Sequence, residues 1–499
     1  MTPQDIPKAS TGMPGLDYIL NGGLPQGQFI LLQGGPGTGK TTLALQFLHE
    51  GVRRGNRSLY ITFLHAKRDI QRIADSHGWD LKGITIEELP EATACNQTIF
   101  PTSEVELGET INAINEVIER VSPERLVFDS VSELQMISDT VFRCRKEVAS
   151  LKRLLTTRNC TALFTIGESP GNSNEFEHVT DGLVLLQQSA PSFGAVRRTL
   201  EVVKMRGMPY MTGRHDFRIK TGGLEIFPNL HAFSSRIRQS PIEEIGREPE
   251  QLKSGFDELD TLLGGGLEEG SAALVLGASG VGKSTITSLY ARAAATKGMK
   301  SLILLFDESI RSYCLRAKGM GLDIYPYISS GLISIRRVSV GEISPGEFSQ
   351  IVRDAFETHG VRLLVIDTLT GYTSAVSEQS STIIEIHQLL AFAASRNVLT
   401  IMTVAEHGLI GTAAPEPQAI SLLSDTVILI RFFEAYGQIR RAISVFKKRY
   451  SRHERTIREL RLTLEGIKVG RPLENFEGVL TGVPKFAGSR EELIASKEA

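Results

Sequence analysis

At 499 residues the chain is too long for one ordinary core, and its 41% hydrophobic and 22% charged content is that of a soluble globular protein of two or more domains. A formal net charge of −2 excludes a global basic field for nucleic acid or an anionic membrane, and leaves only local clusters such as Arg53-Arg54, Arg197-Arg198 and Lys447-Lys448-Arg449. The four cysteines (Cys95, Cys144, Cys160, Cys314) form no C-x-x-C pair, which argues against zinc and for a reducing, cytoplasmic compartment. The opening MTPQDIPKAS lacks the apolar core of a signal peptide, and no apolar run reaches the roughly 18 residues of a membrane span.

In chain order, Thr11-Gly12 and Leu16-Asp17 lead through Gly22-Gly23-Leu24-Pro25 to a short apolar run, Phe29–Gln33, of the kind a buried parallel strand shows. Gly34–Thr41 follows and fits G-x-x-x-x-G-K-[ST]. In such a loop the glycines let backbone N–H groups cradle phosphate oxygens, Lys40 adds charge at the β/γ-phosphates, and the Thr41 hydroxyl can ligate Mg²⁺. Gly35, Gly37, Thr38, Gly39 and Thr42 complete the expected nucleotide contacts, and Thr42–Leu48 reads as the helix whose N-terminus faces the phosphates. A strand is predicted over Ser58–Phe63 and another over Arg125–Asp129, whose terminal Asp129 stands where Mg²⁺ needs an outer carboxylate.

The pattern then recurs. Ala273–Leu276 precedes a second phosphate loop, Gly277–Ser284, with Ser279, Gly280, Val281, Gly282, Lys283, Ser284 and Thr285 as nucleotide contacts. Shifting the sequence by 243 superposes the two loops, Gly23-Leu24 on Gly266-Leu267, Arg198 on Arg441, and Lys204 and Arg206 on Lys447 and Arg449. In the middle the shift is 238, and Asp129 falls on Asp367 and Glu168 on Glu406. This is a duplicated domain, expected over 1–237 and 251–484, with a polar linker at 238–250 and a mobile tail at 485–499. Each copy is expected to be an α/β fold, a mostly parallel doubly wound sheet with nucleotide at the C-terminal strand edge.

The copies differ at one place. The strand Leu302–Phe306 ends in Asp307-Glu308, carboxylates able to polarise a water or hydroxyl. The matching residues in the first copy are Leu64 and His65. The first site therefore keeps nucleotide-binding groups but lacks the expected base, and the second keeps both.

Taken together, the TGxxGLD-type entry, GGLPxG, GGPGTGKTTLALQFL, K-M-R-G at Lys204–Gly207, FDES at Phe306–Ser309, SDT at Ser424–Thr426 and RAISVFKKR at Arg441–Arg449 resemble the KaiC family of tandem RecA-like P-loop ATPases. The resemblance implies ATP and Mg²⁺ as cofactors, held by Lys40, Thr41, Lys283 and Ser284 with Asp129 and Asp367. It implies Asp307 and Glu308 as catalytic carboxylates, and a homohexamer in which Lys204, Arg206, Lys447 and Arg449 reach the neighbouring subunit's γ-phosphate. It also implies partners of the KaiB type or other signalling proteins, and Ser/Thr autokinase activity. Of the family's two adjacent phosphoacceptors, Ser421 keeps a hydroxyl and Leu422 does not. A RecA- or RadA-like DNA motor and a nucleotide-gated scaffold are the competing readings; near-neutral charge and domain doubling oppose the first, and the intact second site opposes the other.

Overall fold

The computed structural model describes residues 6–63, 65–89, 102–138, 140–168, 176–190, 196–229, 249–339, 343–375, 379–405, 423–435, 437–479 and 485–486. The chain divides into two compact units, Met1–Ala232 and Phe233–Ala499. Leu64, Ser421, Leu422, Glu406 and most of the expected linker and tail lie outside the described residues.

The first unit is built on strands β1 (Phe29–Gly34), β2 (Ser58–Thr62), β3 (Ile84–Glu88), β4 (Arg125–Asp129), β5 (Thr161–Ile166), β6 (Gly182–Ser189), β7 (Arg197–Met205), β8 (Arg214–Lys220) and β9 (Gly223–Phe227). Their order across the sheet is β9-β8-β7-β6-β1-β5-β4-β2-β3. The six strands from β6 to β3 run parallel, and β7, β8 and β9 add antiparallel hairpins at one edge. Side-chain alternation explains why β1 reads as a continuous apolar run. Ile30 and Leu32 pack on one face with Leu43 and Phe47, while Phe29 and Leu31 pack on the other with Leu151 and Phe164. Helices cover both faces, so each such residue contributes about 1.5–3 kcal/mol of burial.

The second unit repeats this plan with β10 (Ala272–Gly277), β11 (Lys300–Leu305), β12 (Ile333–Arg337), β13 (Val361–Asp367), β14 (Leu399–Ala405), β15 (Thr426–Ala435), β16 (Gln438–Lys448), β17 (Arg458–Thr463) and β18 (Gly466–Pro472). The order β12-β11-β13-β14-β10-β15-β16-β17-β18 is the first sheet's order displaced by nine strands. Two tandem RecA-like α/β domains follow from the pair of sheets. The strand expected over Leu302–Phe306 occupies Lys300–Leu305, so Asp307 and Glu308 lie just beyond its end. Lys485–Phe486, expected in the tail, pairs antiparallel with Phe476–Glu477.

The repeated entry motifs are anchors. Asp17 accepts hydrogen bonds from the Thr11 N–H (2.8 Å) and hydroxyl (2.7 Å), and Asp260 accepts from the Ser254 N–H at 2.7 Å. Gly23 and Gly266 have positive φ, and a Cβ there would stand 2.4 Å from the Ala9 carbonyl oxygen or 2.6 Å from that of Leu252. Glycine is therefore required where this turn crosses the preceding strand. Among the described residues no helix is long and apolar enough to cross a membrane.

Candidate nucleotide-binding sites

Both phosphate loops sit at the C-terminal end of the central strand, β1 or β10, and open the helices Lys40–Arg53 and Lys283–Thr296. Gly39 (φ 97°) and Gly282 (φ 114°) turn the chain into these helices through the left-handed region. The lysine ammonium folds back over each loop. Lys40 Nζ donates to the carbonyls of Gly34 (2.7 Å) and Gly35 (2.9 Å), and Lys283 Nζ to those of Gly277 (2.9 Å) and Ala278 (2.8 Å). Burial lowers the pKa of Lys40, with the charges of Asp129 and Glu168 opposing. Val281 is fully buried against the core, so only its backbone faces a phosphate, whereas Ser279 and Gly280 are exposed at the loop's crest.

The strand-end aspartates lie beside the loop hydroxyls, as their spacing suggested. The Thr41 hydroxyl donates to Asp129 Oδ2 at 3.1 Å, and this oxygen also accepts from the Tyr60 hydroxyl at 2.6 Å, while Thr165 donates to Oδ1. In the second copy Thr403 donates to Asp367 Oδ1 at 2.6 Å. Asp367 Oδ2 is buried and makes no hydrogen bond of good geometry, although the Ser284 hydroxyl lies close enough to favour the charged form. Burial nonetheless raises the Asp367 pKa, the largest influence on it. The peptide bond after each aspartate is cis.

Asp307 and Glu308 are held by different partners. The Thr368 hydroxyl, next to Asp367, donates to Asp307 Oδ2 at 2.5 Å. Glu308 receives both guanidinium nitrogens of Arg316, Nη1 to Oε2 and Nη2 to Oε1, each at 2.6 Å. At the matching place in the first copy, His65 donates its backbone N–H to the Thr62 hydroxyl at 3.0 Å.

The basic residues divide into two groups. Arg198 pairs with Gln188 of β6, whose amide reaches toward Gly37, and with Phe217 of β8, which flanks Gly39; it sits at the phosphate-loop end. Arg441 lies at the same end, paired with Phe432 and Leu460, its guanidinium 5.5 Å from the Phe432 ring centre. Lys204 and Lys447 do not join them. Lys204 pairs with Leu183, three rungs below Gly34, roughly 10 Å down the sheet. Its Nζ donates to the carbonyls of Glu177 (2.7 Å) and Thr180 (2.8 Å), and Lys447 Nζ donates to that of Ser424 (2.7 Å). Burial lowers both lysines' pKa values, with Arg206 or Arg449 adding to the effect. Arg206 and Arg449, near Asp181 and Asp425, keep about half of their side chains exposed at 53% and 51%.

Three residues at these sites escape sequence reasoning. Tyr60 and Arg316 sit on a strand and a helix that read as ordinary elements, and no motif marks them. Glu168 does match Glu406 in the repeat, but only the fold places its carboxylate 3.4 Å from where a Gly35 Cβ would stand.

These paired sites are matched by what is known of other proteins. A sequence-family model described as "ATPase: KaiC" matches residues 9–231 and again 252–474. The chain is 28% identical to circadian clock protein KaiC3 of Synechocystis sp. over 500 residues, covering 97% of this chain and 96% of that one. It is 28% identical to the circadian clock oscillator protein KaiC of Parathermosynechococcus lividus (96% and 88% covered) and 27% identical to that of Parasynechococcus marenigrum (100% and 97%). Two phosphate loops in two copies of one sheet, matched twice by the same family, place this chain in the KaiC family of nucleotide-binding ATPases.

Proposed function

We propose that the chain is a ring-forming, ATP-driven signalling protein in which the second copy carries out phosphoryl transfer and the first binds nucleotide chiefly to hold the assembly. The observation that carries this reading is the pair Asp307-Glu308 beside Asp367, against Leu64-His65 at the matching sequence positions of the first copy. Mg²⁺ fits the second site: Ser284 and the unsatisfied Asp367 Oδ2 would hold it, and the ion would neutralise charge developing on the phosphates. The Asp307-Glu308 pair orients the attacking water and supplies the base that takes its proton, Lys283 binds the phosphates, and the loop N–H groups from Ser279 to Thr285 cradle them. In the first copy Gly35, Gly37, Thr38, Gly39, Lys40, Thr41 and Thr42 bind nucleotide in the same way.

Supply of Lys204, Arg206, Lys447 and Arg449 to a neighbouring subunit agrees with their place at the strand ends opposite their own loop. It agrees too with exposed apolar residues recurring at the same positions in both copies, Val196 with Ile439 and Val203 with Phe446. A second copy of this chain is the partner such a repeated strip suits, and a homohexamer is the closed ring the family resemblance implies. Several relatives are named for a circadian clock, and signalling partners of the KaiB type belong to this reading. Autophosphorylation would fall on Ser421.

The test measures ATP hydrolysis and solution mass, in ATP and in ADP, for wild type, Asp307→Asn and Lys40→Ala. Asp307→Asn is expected to lose at least about 100-fold in turnover. Lys40→Ala is expected to keep most of it while losing the ATP-dependent increase in mass. Undiminished turnover in Asp307→Asn would assign hydrolysis to the first copy.

A further inference from the structure

Two adjacent carboxylates at one site raise the question of which accepts the proton, and their partners differ. Glu308 is gripped by a planar fork at 2.6 Å on both oxygens, with its side chain only 22% exposed. Asp307 has one hydroxyl donor on Oδ2, and its Oδ1 lies 2.8 Å from where a Gly371 Cβ would stand, so the glycine keeps that oxygen uncovered. Arg316 projects from the helix Ile310–Gly319, with its guanidinium 5.2 Å from the buried Tyr313 ring. Burial disfavours the Arg316 cation, but the Glu308 bond and charge outweigh it and raise its pKa.

The duplication gives Arg316 a point of comparison. Shifted by 243, Glu308 falls on His65 and Arg316 on Ile73. Ile73 packs against the first copy's core. The same helix in the same fold therefore accommodates an apolar residue here, and the arginine occurs in the copy that has the glutamate. Both members of the pair are present or both are absent.

We propose that Arg316 is a positioning residue of the second site: it clamps Glu308 as a fixed orienting acceptor and leaves Asp307 as the proton acceptor. As the water oxygen bonds to the γ-phosphorus and the bond from phosphorus to the β–γ bridging oxygen breaks, the water's proton passes to Asp307 and ADP leaves with the bond's electron pair. Glu308, with both oxygens bound to Arg316, orients the water but does not take the proton. The inference rests on the proposed function.

The experiment measures kcat and KM for ATP hydrolysis by the full chain in Arg316→Ile, Arg316→Lys, Glu308→Gln, the Arg316→Ile/Glu308→Gln double variant, and Asp307→Asn, whose residual rate is subtracted as the first copy's. Arg316→Ile carries the residue the fold accepts at Ile73, and its thermal midpoint is compared with wild type. Arg316→Ile and Glu308→Gln are each expected to lower kcat about tenfold with KM little changed, as loss of a supporting contact does. The double variant is expected to fall no further than either single one, because the arginine acts through the glutamate. Arg316→Lys, with charge but no fork, is expected to recover part of the loss. An additive loss of about 100-fold in the double variant, or a raised KM with intact kcat in Arg316→Ile, would overturn the clamp by showing that Arg316 meets the nucleotide itself. If Asp307→Asn alone were fully active, the reading of the second site would fail along with the clamp.

Discussion

The two copies share a sheet order strand for strand and differ in what surrounds their aspartates. In the first, Tyr60 and Thr41 both occupy Asp129 Oδ2; in the second, Ile303 stands at the Tyr60 position and Asp367 Oδ2 is left open. Burial, then the Asp129 charge, raise the Tyr60 pKa well above its ordinary value, so the phenol stays protonated and donates. One copy thus satisfies both oxygens of its strand-end aspartate with protein donors, while the other leaves Oδ2 without a well-formed hydrogen bond and adds Asp307, Glu308 and Arg316 nearby. A duplicated fold thus keeps its sheet order and phosphate loop while the residues beside the loop differ between the copies.

The contrast extends into the cores, where it makes the largest prediction. Lys448 and Glu268 form an ion pair at 3.0 Å with side chains 0% and 2% exposed, and Lys448 Nζ also donates to the carbonyls of Leu263 (2.6 Å) and Gly266 (2.7 Å). The first copy has Met205 and Pro25 at these positions. Lys448→Met is expected to destabilise the second unit by about 3–5 kcal/mol, because Glu268 is left charged and buried. Lys448→Met/Glu268→Leu is expected to regain most of that, as the first copy's apolar pair implies. Hydrogen exchange in β16 against β7 measures both; equal protection in Lys448→Met and wild type would remove the ion pair from the account.

The first unit has its own buried titrating group. His215, fully buried, accepts the Asn229 N–H at 3.0 Å, and burial lowers its pKa to about 4. The unfolded chain takes up this proton from about pH 6.5 downward and the folded chain only near 4. The stabilisation is therefore intact above pH 6.5 and is lost as pH falls to about 4, by about 3 kcal/mol. The second copy carries Arg458 at this position, bound to Glu454 at 2.7 Å, and is free of that cost. Denaturant unfolding at pH 7 and pH 5 is expected to show β6–β8 losing protection before β15–β17. A pH-independent order would rule His215 out as the cause.

A smaller effect probes the two aspartates directly. Tyr60→Phe removes a donor to Asp129 Oδ2 and is expected to cost about 1–2 kcal/mol of stability. If the open oxygen is what admits the ion, the same change is expected to tighten Mg²⁺-dependent nucleotide binding in the first copy, read by calorimetry in the Lys283→Ala background. Unchanged Mg²⁺ dependence would separate the open oxygen from ion binding.

Much of this was legible in the sequence because phosphate loops and buried strands are local patterns. Gly34–Thr41, β1 and β4 follow from residue type and spacing alone, and the 243-residue shift exposes the duplication without any structure. Contacts between distant elements were not legible. Arg316 meets Glu308 only because the chain turns at Ser309 into the helix Ile310–Gly319, which brings Arg316 back beside the bend that holds Glu308, and Tyr60 meets Asp129 only because β2 and β4 are neighbours with Thr62 opposite Asp129. The Lys204 and Lys447 positions were found by repetition, but their distance from their own loops required the antiparallel register of β7 and β16.

Glu168 gives the smallest effect and a test of how far the first site has been silenced. It stands at the end of β5 beside Gly35, exposed, and its charge acts on Lys40. A carboxylate here has two opposite uses: it can steady the loop lysine, or it can repel a bound phosphate. Its exposure limits either, since unit charges about 6 Å apart in a largely aqueous setting interact by about 1 kcal/mol. Lys40 already has two carbonyls and Asp129 to hold it, so losing Glu168 removes little that the lysine needs. A γ-phosphate at the loop would carry more negative charge than the lysine carries positive, so the neighbouring Glu168 carboxylate would chiefly repel it. Glu168→Gln is therefore expected to tighten ATP over ADP in the first copy by no more than about fivefold, with the gain shrinking as salt is raised. Weaker ATP binding in this variant would show instead that Glu168 serves the lysine, or the water, and that the first copy has kept a carboxylate of its own.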